Sequence, residues 1–296
     1  MMQVQRSFQE HHRGYGTLYL VATPIGNLED MTFRAIRILR EADLIAAEDT
    51  RHTRKLLSHF EITPRQIISY HEHNKHASGP ELIRFLKEGS SIALVSDAGL
   101  PAISDPGAEL VRSAIDEGIP VVPVPGANAA LSALMISGMP TERFLFAGFL
   151  PRDKKKMQEE LTKLGSASCP VIFYEAPHRL RKTLSAILDA WGDRPSAVVR
   201  EITKKHEEAL RGTLQEFITW FEAEEPLGEI CLIVEAPASS ASDSDTWWEA
   251  LTIPEHVAAY EARGLARKEA MKQAAVDRGL TKRDVYQACL DGQKNS

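Results

Sequence analysis

Between Leu18 and Gly138, short apolar runs alternate with segments of helical period. LYLVATPIG (Leu18–Gly26) is a buried-strand pattern ended by Pro and Gly. LEDMTFRAIRILREA follows, with Phe33, Ile36, Ile38 and Leu39 near one helix face. The pairing recurs as DLIAAED with TRHTRKLLSHF, QIISYHEH with SGPELIRFLKEG, SIALVSDAG with DPGAELVRSAIDEG, and VVPVPG with ANAALSALMISG. Thr50 opens the second helix; Pro80 belongs to the first turn of the third, and Gly89 stops it. Unbroken apolar strands of this kind need cover on both faces, so the five units predict a parallel sheet in an N-terminal α/β domain over residues 16–139.

Past Gly138–Thr141 the pattern changes. RFLFAGFLPR, PVIFYEAPHRL, SAVVREIT and GEICLIVEAP read as four strands, with helices at Met157–Leu164, Arg181–Trp191 and Leu214–Glu222. Several connections are short, which predicts a mixed or largely antiparallel sheet in a second α/β domain over residues 140–236. Ser, Ala and Asp then dominate a linker over residues 237–247. IPEHVAAYEARG, RKEAMKQAAVDRG and TKRDVYQACL follow as three short helices with Gly-marked turns, a helix-turn-helix-like module over residues 248–296. Residues 1–15 lack an apolar run and read as a disordered leader rather than a signal peptide.

Composition narrows the picture. With 296 residues, 43% hydrophobic and 26% charged, the chain suits two domains with an appendage and excludes collagen, coiled coil or global disorder. The formal net charge of −6 confines nucleic-acid contact to local basic patches. One such patch is Arg152 with Lys154, Lys155 and Lys156. The helical module is another: eight Lys/Arg against six Asp/Glu from Pro254 to Ser296 leave it at +2. That module suits either RNA contact or packing and dimerisation. Three scattered cysteines make neither a disulfide scaffold nor a Cys-rich zinc site, and a reducing cytoplasm is the expected home. Gly118–Thr141 carries no charge, but Pro120, Pro123, Pro125 and Gly126 make it a strand, turn and helix rather than a membrane span.

In a parallel α/β sheet, ligands bind beyond the carboxyl ends of the strands. The loops there are TPIGNLED, AEDTRHTRK, HEHNKH, SDAGLPAISDPG and PGANAA. Their small residues let a ligand approach the backbone, and Asp97 can accept hydrogen bonds. Neither G-x-G-x-x-G nor G-x-x-x-x-G-K-[ST] is present, which disfavours a nicotinamide dehydrogenase or a P-loop enzyme. An adenosine-like ligand without phosphate fits better, and the cationic sulfonium of S-adenosylmethionine suits an acidic protein. His71, His73 and His76 could be weighed as metal ligands, but they sit in a polar loop with no nearby Cys, so a solvated or RNA-facing loop is the better reading and no metal is expected. Asp49 and Thr50 fit a helix cap, whereas Arg51 and His52 could meet a phosphate.

TPIGNLED, AEDTRHTRKLL, ALVSDAGLPAISDPG, VPGANAA, FYEAPHRL and REITKKHEE, in that order, resemble the tetrapyrrole methylase superfamily. Within it they are similar to its branch of small-subunit ribosomal RNA 2′-O-ribose cytidine methyltransferases. The resemblance covers about residues 15–236, and the helical tail is similar too. Leu100 stands where the family usually has Thr, and Asn128 where Cys or Ser is usual. The resemblance implies a two-domain α/β fold, a homodimer and S-adenosylmethionine in the cleft. It implies cofactor contacts from Pro24, Gly26, Asp97, Gly99, Pro101, Ala102, Gly126, Asn128 and Ala129, with Tyr174, Ile202 and Thr203 from the second domain. It implies ribosomal RNA across Arg51, His52, His71, His73 and Arg179, which the Lys154–Lys156 patch could extend.

A ribose hydroxyl attacks a sulfonium methyl in line and needs a group to take its proton. Glu175, Glu201 and Asp49 are the candidates, although Glu175 and Glu201 could instead pair with Arg179 and Arg200. The leaving group is neutral, so no metal is required. A small tetrapyrrole as substrate, or a non-catalytic RNA-binding assembly factor, are the alternatives.

Overall fold

The computed structural model describes Gln5, residues 14–236 and residues 248–294. Most of the expected leader and all of the expected linker lie outside the described residues. The chain forms two compact units, Met1–Ala236 and Pro237–Ser296.

The first unit holds two five-stranded sheets. The first contains β1 (Leu18–Val21), β2 (Leu44–Ala47), β3 (Ile67–Ser69), β4 (Ile92–Val95) and β5 (Val121–Val124), in the order β3-β2-β4-β1-β5. All its pairings are parallel. Every residue of β2 and β4 is buried, because helices cover both faces. On one side lie α1 (Phe33–Glu41) and α2 (Thr50–His59), with Ile38, Leu39 and Leu57 against Ile45 and Val95. On the other lie α3 (Lys75–Lys87) and α4 (Ala108–Asp116), with Leu82, Leu86 and Leu110 against Leu44 and Leu94. Burying each such side chain contributes about 1.5–3 kcal/mol.

Two local expectations change. The first helix is split: Leu28–Asp30 is a 3-10 turn, and Thr32 caps α1 by accepting from the Ala35 N–H. β3 ends at Ser69, before His71 and His73, and α3 begins at Lys75, so Pro80 lies inside it and His76 is helical. Lys75 fixes that early start by pairing with Glu72 at 2.7 Å and Glu109 at 2.6 Å. The strand–turn–helix expected over Gly118–Thr141 is present as β5 and α5 (Ala129–Ser137).

The second sheet is mixed and has five strands, one more than its pattern predicts. Its order is β6-β7-β10-β8-β9, from β6 (Leu145–Phe149), β7 (Val171–Glu175), β8 (Pro195–Arg200), β9 (Glu208–Thr213) and β10 (Ile230–Val234). β6 and β7 are parallel and the remaining pairs antiparallel. β9 escaped notice because EALRGT is a partly exposed edge strand without apolar alternation. One face packs on α6 (Lys154–Leu164), α7 (Pro177–Trp191) and α8 (Leu214–Ala223) through Met157, Leu184, Trp191 and Phe217. α7 starts four residues earlier than expected because Pro177 suits the first helical position.

The other face packs on α5: Ala130, Ala133 and Leu134 meet Ile172, Val199, Cys231 and Ile233. The helix expected to close the N-terminal domain thus covers the second sheet, and the chain crosses between sheets before Asn128 rather than at residues 139–140. The reason is that α5 is apolar on nearly all sides and finds its cover there.

The second unit contains α9 (Ile253–Ala262), α10 (Arg267–Asp277) and α11 (Lys282–Lys294). Val257, Ala270, Ala274 and Val285 form its core, and a Thr252–Glu255 capping box opens α9. His256 is fully buried at its centre, stacked on Trp248 with ring centroids 5.3 Å apart.

Candidate active site

In the first sheet the chain leaves β1 toward β2 on one side and leaves β4 toward β5 on the other, which makes the β4/β1 boundary the topological switch point. An isolated bridge between Thr23 and Gly99 joins the loops that follow these two strands. The second sheet brings the end of β7, the end of β8 and the start of β10 to the same place, since Ile230 pairs with both Glu175 and Arg200.

Two cavities meet at this boundary. The first, about 340 Å³, runs from the β4 loop (Ala98, Gly99, Leu100, Ile103–Asp105) to a wall of Tyr174, Val199, Ile202 and Cys231. The second, about 400 Å³, lies over Thr23–Gly26 and is bordered by α2 and Asp97. Ile25, Ala98 and Glu229 line both, so they form one cleft.

Of the residues expected at the cofactor, Gly99, Asn128, Ala129, Tyr174 and Ile202 line the first cavity, and Pro24, Gly26 and Asp97 the second. Pro101, Ala102, Gly126 and Thr203 line neither. Gly126 packs on protein: a Cβ there would meet the Ala22 Cβ at 2.8 Å. Gly26 likewise makes room for the second half, since its Cβ would stand 2.4 Å from Lys204 Cγ. Thr203 Oγ1 accepts the Asn27 N–H at 3.2 Å, tying the same two loops. Ala102 and Thr203 hold positive φ, 70° and 67°.

The start of α5 faces the first cavity, yet two of its N–H groups are occupied. Asn128 Oδ1 accepts from Leu131 N–H at 2.8 Å and Tyr174 Oη from Ala130 N–H at 3.2 Å. A pyrophosphate would find these donors taken. Burial pushes the Tyr174 phenol up to about 12 and the Cys231 thiol up to about 12, so both are neutral wall.

The three expected proton acceptors are engaged elsewhere. Glu175 is buried, accepts from Thr183 Oγ1 at 2.5 Å and from Ala176 N–H at 2.8 Å, and pairs with Arg179 at 3.3 Å. Glu201 accepts from the Glu229 N–H and pairs with Lys204 at 2.9 Å; these hold its carboxyl below the usual range. Arg200 pairs with Glu208, not with Glu201. Asp49 caps α2 and is gripped by Arg51, which holds its carboxyl far down.

The carboxylate that the sequence pattern hid is Asp105. The DPG segment belongs both to the rim loop SDAGLPAISDPG and to the helix pattern after it; α4 starts only at Ala108, after Gly107 at φ 141°, which leaves Asp105 half-buried in the loop lining the first cavity. Burial first, then the charges of Glu48 and Asp97, push it up to about 6. Glu48 is also raised, chiefly by burial. The DPG turn was the available signal.

The expected RNA residues are dispersed. Arg51 is 86% exposed, His52 borders the second cavity 4.0 Å from Asp97, and His71 and His73 lie past β3 with rings 6.0 Å apart. Arg179 is 14% exposed and donates to the Leu150 carbonyl at 2.8 Å, so it points inward. Lys154, Lys155 and Lys156 are exposed on the first turn of α6, above the Asp153 cap. Three cations at the positive end of a helix dipole gain nothing locally.

Two sheets joined at a switch-point cleft, with a nucleoside-sized apolar cavity rimmed by carboxylates, define a bilobed α/β ligand-binding enzyme architecture. A family model described as Tetrapyrrole (Corrin/Porphyrin) Methylases matches residues 17–218, and the chain belongs to that family. It is 56% identical over 285 residues to a Halalkalibacterium halodurans protein named Ribosomal RNA small subunit methyltransferase I, covering 96% of this chain and 98% of that one. A Bacillus subtilis protein of the same name is 55% identical over 290 residues, covering 97% and 98%. Among solved structures, Thermus thermophilus uroporphyrin-III C-methyl transferase complexed with S-adenyl homocysteine shares the fold, with TM-score 0.53, 20% identity, and coverage of 75% of this chain and 98% of that one.

Proposed function

We propose that this chain methylates the 2′-hydroxyl of a cytidine ribose in 16S ribosomal RNA of the small subunit, using S-adenosylmethionine, in the cytoplasm. The observation that carries the reading is the first cavity. It is apolar enough for a nucleoside, and the Ala130 and Leu131 N–H groups at its helix end are satisfied internally. It also opens onto Asp97 and Asp105, next to Glu48. Those carboxylates favour a cationic sulfonium over a phosphate. The full-length likeness to proteins named for ribosomal RNA methylation supports an RNA substrate.

S-adenosylmethionine supplies, when bound, a methyl group on positively charged sulfur. Gly99, Asn128, Ala129, Tyr174 and Ile202 would hold its nucleoside, with Pro24, Gly26 and Asp97 at the mouth. Positioning does most of the work in such a transfer. The remaining task is the hydroxyl proton, which we assign to Asp105. Unlike Asp49 and Glu201, whose carboxyls are held down by their partners, its carboxylate is tuned toward neutral pH, where a base is both ionised and able to take a proton. A second copy of the chain would cover the exposed Leu131 and Met135 of α5, which accords with a homodimer.

The test is methyl transfer from labelled S-adenosylmethionine to small subunits from a strain lacking this protein, with the modified nucleotide mapped. Label at a cytidine 2′-oxygen is the expected result; label on a porphyrinogen and none on RNA overturns it.

A further inference from the structure

His52, Lys55 and His59 follow one another along α2 at the spacing that puts side chains on one helix face. All three line the second cavity, with Thr53 and Leu56 beside them, and Leu57 on the opposite side of the helix is buried in the core. This cavity shares Ile25 and Ala98 with the first, so whatever lies in it adjoins the occupant of the first. We propose that the cavity beside α2 binds the phosphodiester backbone of the substrate strand, with Lys55 and His59 as phosphate contacts beyond His52. The inference rests on the RNA reading above.

The other charged groups facing the cavity support it. Lys204 is committed to Glu201 and Glu229, at 2.9 and 3.0 Å, so the Glu229 charge there is already answered. Asp97 stands 4.0 Å from His52 at the border toward the first cavity, where the sulfonium is expected. Lys55 is exposed and makes no ion pair among the described residues. The His59 ring is held edge-on against Phe60 at 4.9 Å, and basic groups are favoured at that end of the helix. A ribose presented to the first cavity has phosphates on both sides, and a basic stripe of this length meets one of them. Backbone contacts of this kind fix register without reading sequence.

The experiment compares wild type, Lys55→Ala, His59→Ala and Lys55→Arg as full chains acting on small subunits over a range of salt. For Lys55→Ala, kcat/KM is expected to fall about tenfold through KM, and the slope of its logarithm against log salt to shrink by about 0.7, as for one single-strand phosphate contact. His59→Ala is expected to raise KM by a smaller factor. Lys55→Arg restores the slope, and S-adenosylmethionine affinity by calorimetry is unchanged throughout. Wild-type KM and slope in Lys55→Ala, with wild-type enzyme active on RNA, overturns this inference alone. No methylation of RNA by the wild type overturns the parent reading and this one with it.

Discussion

The two sheets build one cleft by different means. In the first, all strands run the same way, so every strand ends at the same rim, and the site is made of loops: Pro24–Gly26, Asp97–Asp105, and the turn before α5. In the second, β10 runs antiparallel between β7 and β8, so Tyr174, Cys231 and Val199 stand side by side in register and form a wall of side chains. One half supplies charge and backbone, the other supplies apolar surface. The two are fastened by α5 and by the contact of Gly26 with Thr203 and Lys204.

The strongest way to break this division is to remove the charge that the loops supply. Asp105→Asn is expected to lower kcat by about 10²–10⁴ while lowering cofactor affinity far less. Wild-type kcat should rise with pH through about 6 and then level, and the variant should lose that limb. The same change should raise the melting temperature at pH 8. The folded-state pKa lies above the unfolded value, so the carboxylate's contribution to stability is present at low pH and lost as pH rises through about 6. An unaltered pH profile in Asp105→Asn would return the proton to another group.

Core truncations test whether the halves fold as one. Phe173→Ala in the second sheet should cost about 3–5 kcal/mol and Leu94→Ala in the first about 2–5 kcal/mol, since both are buried. Urea titrations should show both lowering a single transition of the first unit. Separate transitions would mean that α5 does not couple the sheets.

Gly26→Ala addresses the seam itself. The new Cβ must displace Lys204 and the Thr203 hydroxyl, breaking the hydrogen bond to Asn27, with an expected loss of about 1 kcal/mol. Cofactor affinity measured by calorimetry should fall several-fold, whereas Gly138→Ala, whose Cβ meets nothing, should leave that affinity alone.

The smallest effect is expected in the helical unit. His256 is buried, takes a hydrogen bond from Arg278 Nε at 3.1 Å and lies 3.2 Å from Asp277. Burial first, then the Arg278 charge, hold its pKa below the usual histidine value. Its contribution to stability is therefore present above about 6.5 and lost as pH falls. An NMR titration of the His256 Cε1–H should give a midpoint below that of an exposed histidine, with the helices loosening on protonation.

Much of the first half was legible because its signals are local. Apolar runs, Thr and Asp caps, and turn glycines act over three or four residues, and they placed five strand–helix units and the rim loops in order. The edge strand β9 was missed because its exposed face leaves no alternation to read. Asp105 lies in an expected rim loop but is not singled out as a proton acceptor, because a DPG turn and a helix start share residue types until the Gly107 conformation is known.

By its own pattern, the sequence determined most of the elements, their order, the absence of phosphate-binding fingerprints and the family. Only the tertiary structure decided that α5 covers the second sheet, that Gly26 and Gly126 serve protein contacts, and that Arg179 turns inward to Glu175. Those outcomes depend on side chains far apart in the chain that meet only once strand register is set. Desolvation and charge proximity at Asp105 arise from the same meeting.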